Sequence, residues 1–138
     1  MKIYFACSIT GGREFELVYQ DLVGALESEK HQVLTAHLAG SGIRESEAVL
    51  NPREVYTRDV AWIRESDALI AEVSVPSHGV GYEIGFALGA DKPVLALFDR
   101  GRRVSKMISG NPDARLSVES YADAAQAIRI MLDFLRKY

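Results

Sequence analysis

The sequence predicts one three-layer α/β domain of Rossmann-like type, a five-stranded, mostly parallel sheet with helices on both faces. Three observations predict it. Short runs rich in strand formers alternate with longer stretches of helical apolar spacing, the signature of βαβ units. The runs Lys2–Cys7 and Val94–Phe98 are apolar without alternation, as strands covered on both sides must be. At 138 residues the chain is long enough for one domain with a full core.

The elements follow in order. Lys2–Cys7 is the first strand, closed by the turn-like Ser8-Ile9-Thr10-Gly11-Gly12. Arg13–Glu29 carries Phe15, Leu17, Val18, Leu22, Ala25 and Leu26 near helical spacing. Gln32–Ala36 is a second strand. His37–Leu50 has weak periodicity and three small residues at Gly40-Ser41-Gly42, so it reads as a mobile loop with a short helix after Arg44. Asn51 and Pro52 form a cap and first turn for a helix ending near Glu65. Ala68–Val73 is the third strand, and Ser77–Gly89 a helix apolar on nearly every face, hence buried. Val94–Phe98 is the fourth strand. Asp99–Arg103 is a polar loop, and Val104–Ser109 a short helix stopped at Gly110-Asn111-Pro112. Arg115–Val118 is a weaker fifth strand, and Ala122–Lys137 the closing helix.

Composition narrows the function. A net charge of −3 with no basic run argues against binding nucleic-acid polymers. Cys7 is the single cysteine, so no internal disulfide forms, which suits a reducing cytoplasm. The chain opens directly on a strand pattern without a signal peptide, and no apolar run is long enough to span a bilayer. The three histidines are scattered, so neither a metal site nor a cofactor is expected.

Ligands in such folds bind beyond the carboxyl ends of the strands. That rule gathers the Ser8–Gly12 loop, His37 and the segment before Glu83 on one rim. Glu83 is the one charge in an otherwise apolar helix. Near the helix start it would stay ionised, as a nucleophile or general base, or it merely decorates the helix N-terminus. Gly79 and Gly81 bare the backbone beside it. Asp59 shares a helix side with Val55 and Trp62, where a raised pKa suits a general acid; pairing with Arg58 or Arg64 is the plainer reading. Tyr4 in the first strand reads as a packed core residue with one hydrogen bond, and His37 as a solvated histidine. The Ser8–Arg13 turn and the Ser77–Gly81 turn are phosphate-cradle candidates, although plain turns use the same residues.

Taken together, Ile3–Glu14 (IYFACSITGGRE), the Asp59-Val-Ala-Trp62 helix and Pro76–Gly89 (PSHGVGYEIGFALG) resemble a known family. It is the 2′-deoxynucleoside 5′-phosphate N-hydrolases, or Rcl proteins, of the nucleoside 2-deoxyribosyltransferase superfamily. The resemblance spans nearly the whole chain, including Lys92–Phe98 and Val104–Ile108. It implies hydrolysis of 2′-deoxynucleoside 5′-monophosphates to free base and 2-deoxyribose 5-phosphate. Glu83 matches the nucleophile, Asp59 the proton donor to the base, and Tyr4 the tyrosine that orients the nucleophile. Ser8, Ile9, Gly11, Gly12, Arg13, His37, Ser77, Gly79, Gly81 and Met107 fall among the substrate and phosphate contacts. Ser105 matches a serine delivered from the neighbouring subunit of a homodimer. Thr10 departs from the arginine, and Cys7 from the glycine, of similar chains. The first removes a cation near the phosphate, for which Arg13 is a candidate replacement. A base-exchanging transferase and a non-catalytic nucleotide sensor are the alternatives.

Overall fold

The structure, a computed structural model, describes the backbone of residues 1–138 and every side chain except those of Arg44 and Ser46. Its strands are β1 (Lys2–Ala6), β2 (Gln32–Val33), β3 (Ala68–Glu72), β4 (Val94–Asp99) and β5 (Leu116–Tyr121). They form one sheet in the order β2-β1-β3-β4-β5, and every neighbouring pair is parallel. The helices are α1 (Glu16–Ser28), α2 (Ile43–Ala48), α3 (Pro52–Glu65), α4 (His78–Gly89), α5 (Lys106–Ser109) and α6 (Ala124–Leu135).

Alternation along the strands divides the core in two. Ile3, Phe5, Ile70, Leu95 and Leu97 point to the face covered by α1 and α6, where Tyr19, Leu22, Leu26, Met131 and Phe134 meet them. Tyr4, Ala6, Leu69, Ala71 and Ala96 point to the opposite face, against Ile63 of α3 and Val80, Ile84 and Ala87 of α4. A strand covered on both faces needs apolar residues at every position, which is why these runs lack a polar alternate. No helix is long and apolar enough to cross a membrane.

Several boundaries differ from expectation for local reasons. Strand β2 keeps only Gln32–Val33, because the chain leaves the sheet edge for a 3₁₀ turn at Ala36–Ala39. The supposed mobile loop is therefore built of that turn followed by α2. Strand β5 runs on to Tyr121, along the full register of β4 from Val94 to Asp99. Helix α4 is not buried all round. Val80, Ile84, Ala87 and Leu88 are buried, while Gly81, Tyr82, Gly85 and Gly89 face outward. Helix α3 begins as expected, with Asn51 and Glu54 closing a capping box around Pro52.

Candidate active site

The first strand and the fourth helix bring the two central side chains together. Tyr4 is fully buried, and its hydroxyl donates to Glu83 Oε1 at 2.7 Å. Glu83 lies in the second turn of α4, not the first, since Ser77 is the cap and His78 the first helical residue. The helix terminus therefore does not hold it ionised, as the sequence had suggested; that effect fades within one turn. Burial instead pushes its carboxyl up to about 7, and the charge of Asp59 adds to the rise. The Tyr4 hydrogen bond and Arg58 pull the other way. Burial, with the neighbouring Glu83 charge, also drives the Tyr4 hydroxyl far above its ordinary value, so Tyr4 remains a donor.

A cleft of about 660 Å³ opens beyond the ends of β1 and β3, and both Glu83 and Asp59 line it. Ile9, Thr10, Ser77 and Gly79 share its wall, and Leu38, Leu50, Val55 and Tyr56 make one side apolar. Asp59 is both open to the cleft and paired with an arginine, accepting from Arg58 Nε at 2.8 Å. Burial raises its pKa while Arg58 lowers it, and burial is the larger effect.

The phosphate-cradle candidates meet at the start of α4. Ser77 Oγ caps the helix, accepting from Val80 N–H at 3.4 Å. Gly11 packs against the preceding turn so closely that a Cβ would lie 2.5 Å from Pro76 O and 2.9 Å from Ser8 Oγ. Gly12 has φ +142°, in the region that favours glycine. Ser8 Oγ is buried and has no hydrogen-bond partner among the described residues. A second cavity, of about 820 Å³, adjoins across Thr10, Ser77 and Val80 and is walled by Gly11, Gly81, Arg103, Ser105 and Met107. Ser105 also caps α5, accepting from Met107 N–H at 3.3 Å.

Two expected contacts lie elsewhere. Arg13 lines neither cavity, and its Nη1 holds the cradle loop from behind, donating to Ser8 O at 3.4 Å. Its guanidinium donates to Leu38 O (2.9 Å), Ala39 O (3.1 Å) and Gly40 O (2.9 Å), and its Nε to Glu16 (2.9 Å). It fastens the 3₁₀ turn and has no fork left to replace a missing phosphate cation. His37 sets its ring edge-on to Trp62 at 5.6 Å and does not line the cleft. Burial and the nearby Arg58 lower its pKa, which favours neutral imidazole. Cys7 lines the cleft floor, and burial pushes its thiol up to about 12, so it is no thiolate nucleophile. Among the described residues no three His, Cys, Asp or Glu side chains are grouped to hold a metal ion. The sequence reading missed Glu47, which lines the cleft from α2 and grips Arg58. Its only sequence signal was an acid within a weakly periodic stretch.

Comparison with known proteins gives the family and the fold. The sequence model of the nucleoside 2-deoxyribosyltransferase family matches residues 3–127. A Methanosarcina mazei protein provisionally named 2′-deoxynucleoside 5′-phosphate N-hydrolase 1 is 42% identical over 135 residues, covering 98% of this chain and 84% of its own. The 5-hydroxymethyl-dUMP N-hydrolase of Mus musculus is 42% identical over 127 residues, covering 88% and 73%. The structure of the Clostridium botulinum CMP N-glycosidase BcmB superposes with a TM-score of 0.74 at 20% identity, over 97% of this chain and 99% of that one, and shares the fold. A family match over almost the whole chain, with relatives this similar along it, means that the protein belongs to the nucleoside 2-deoxyribosyltransferase family.

Proposed function

We propose that this protein cleaves the N-glycosidic bond of 2′-deoxynucleoside 5′-monophosphates through a covalent intermediate on Glu83. That it is an N-glycoside hydrolase follows from its relatives, named N-hydrolases at about two-fifths identity. The observation that carries the finer reading is the Tyr4–Glu83 pair opening on the same cleft as Asp59.

Departure of the base leaves positive charge at C1′ and an electron pair on the base nitrogen. Asp59 gives its proton to the base, and a Glu83 oxygen bonds to C1′ as the C1′–N bond breaks. The Tyr4 hydrogen bond holds one carboxylate oxygen and leaves the other for the sugar. Water then attacks C1′, Asp59 takes its proton, and Glu83 leaves as carboxylate. The 5′-phosphate sits at the N-terminus of α4, among Ser77, Gly79, Thr10 and the Ser8–Gly12 loop. The missing 2′-hydroxyl makes the oxocarbenium-like state easier to reach, and the reaction uses no metal or cofactor. A homodimer in which Ser105 of one copy reaches the phosphate of the other completes the reading, with Met107, 84% exposed, as its apolar contact.

The test is a panel of deoxy- and ribonucleoside monophosphates, with released base measured by chromatography, on the native protein and on Glu83→Gln. Deoxy substrates should turn over, ribo forms poorly, and the variant should lose several orders of magnitude while still binding nucleotide. Glu83→Gln activity within about tenfold of native, or roughly 1.4 kcal/mol in barrier, removes the nucleophile assignment. Base exchange with added free base outpacing sugar-phosphate release would make the protein a transferase.

A further inference from the structure

The wall between α2 and α3 holds an ion cluster centred on Arg58. Its two Nη groups donate to the two oxygens of Glu47, at 2.9 and 3.1 Å. Its Nε donates to Asp59 Oδ1 at 2.8 Å. The guanidinium lies over the Trp62 ring, 5.0 Å from its centroid, which fixes the plane of the fork. The side chains are 15% (Glu47), 16% (Asp59) and 23% (Arg58) exposed, so solvent screens them weakly.

The division of the fork has a chemical consequence. With one N–H of each Nη group given to Glu47, Arg58 holds Asp59 by a single bond from Nε, and its charge is shared between two carboxylates. A bidentate Arg–carboxylate pair holds the acid ionised, and an ionised Asp59 has no proton to give. We infer that Glu47 is a positioning residue for the acid: it engages both Nη groups of Arg58, offsets the charge that Arg58 turns on Asp59, and so keeps Asp59 able to carry a proton at working pH. The inference rests on Asp59 being the donor to the leaving base. It reaches beyond that role to the residue that controls it.

The groups facing Asp59 come from five elements. Arg58 is on its own helix and Glu47 on α2. His37 faces it from the 3₁₀ turn, Glu83 from α4 and Tyr4 from β1. His37 is biased toward its neutral form. The described cation acting on Asp59 is therefore Arg58, and Glu47 is the acid that engages it. Burial raises the Asp59 pKa, Arg58 lowers it, and Glu47 raises it again.

A purely structural role, fastening α2 to α3, predicts something different. Removing either partner of a fastening damages the site in the same direction. Removing either partner of a charge relay moves the acid in opposite directions. The experiment uses Glu47→Gln, Arg58→Gln and the double variant. The Asp59 carboxyl is titrated by carbon NMR in the free protein. In parallel, kcat/KM is followed against pH for a deoxynucleoside monophosphate and for nitrophenyl 2-deoxyribose 5-phosphate, whose leaving group needs no proton.

Glu47→Gln should lower the Asp59 midpoint by about one pH unit, with roughly tenfold loss on the natural substrate above the displaced alkaline limb. Arg58→Gln should move midpoint and limb upward, and the double variant should return toward native. The nitrophenyl substrate should change little in all three. An unmoved Asp59 titration in Glu47→Gln, or losses of the same sign on both substrates in both single variants, overturns the inference. The parent reading fails separately: Asp59→Asn harming both substrates equally would remove Asp59 as donor, whatever the titrations show.

Discussion

Glu83→Gln should make the protein more stable above neutrality, and the size of the gain follows from the site. The carboxyl titrates near 4.5 in an unfolded chain and at about 7 in the fold, mainly because it is buried. Below 4.5 both states hold the proton and ionisation costs nothing. Between the two values the unfolded state releases its proton and the folded state keeps it, so stability falls as pH rises. Above 7 the loss is complete, at about 3 kcal/mol. Glutamine has the same shape, its carbonyl still accepts from the Tyr4 hydroxyl, and it does not titrate. At pH 8 the variant should therefore exceed the native protein by up to about 3 kcal/mol, or roughly 8–10 °C in unfolding midpoint for a chain of this size. At pH 4 the two should coincide. Urea unfolding of both proteins at the two pH values measures this, and the comparison cancels the titrating groups that do not interact with Glu83. A gap that stays constant with pH, or a variant less stable at pH 8, would refute the burial argument. The inactive variant would then have to be explained by damage rather than by loss of charge.

Further outcomes follow from neighbouring contacts. Gly11→Ala should cost about 1–3 kcal/mol and raise KM for the monophosphate, because its Cβ would lie 2.5 Å from Pro76 O; normal unfolding and kinetics would mean the two loops separate freely. Arg13→Ala should speed amide exchange at residues 36–40 by releasing three carbonyls, yet leave inhibition by inorganic phosphate unchanged; weaker phosphate inhibition would put Arg13 in the cradle after all. Mixing Glu83→Gln with Ser105→Ala subunits should restore activity above either parent if Ser105 acts across a dimer, since one site of each mixed pair is then intact. No recovery would assign Ser105 to the phosphate of its own chain, through the cavity it shares with Thr10 and Ser77.

Much of the architecture was legible because a parallel sheet covered on both faces imposes a simple pattern. The unbroken apolar runs at β1, β3 and β4 gave strands, and their alternation with helical spacing gave the layers. The catalytic candidates were legible for the opposite reason, as acids where apolar residues were expected. What failed was side-chain direction. Arg13 closes the cradle loop by sequence, but Glu16, the carbonyls of residues 38–40 and Ser8 O engage its guanidinium behind that loop. Helix α4 read as buried all round because glycine is not polar, yet Gly81, Gly85 and Gly89 recur every fourth residue and make a bare outer strip. The strand order and the grip of Glu47 on Arg58 depend on pairings between distant segments, and no local pattern encodes them.

Two acids on opposite faces of the sheet, Glu72 fully buried and Glu83 half-buried, show what would separate a reactive carboxylate from a structural one. Glu72 ends β3, is fully buried, and has its pKa raised by burial, as Glu83 has. Its surroundings differ. Tyr121 donates to it at 2.8 Å, and the Ser74 hydroxyl and backbone N–H also donate. Ser74 in turn accepts from Asp99 N–H at 2.7 Å, so the network ties β3 to β4 and β5. The bonds of that carboxylate are made inside the fold, and it lines neither cavity. Glu83 receives one hydrogen bond from Tyr4 and turns its remaining capacity to the cleft. The bonds to Glu72 offset part of the cost of its burial and tie three strands together. A buried acid left one bond short lowers the stability of the empty site, and a positive charge developing at C1′ is the partner that would restore it.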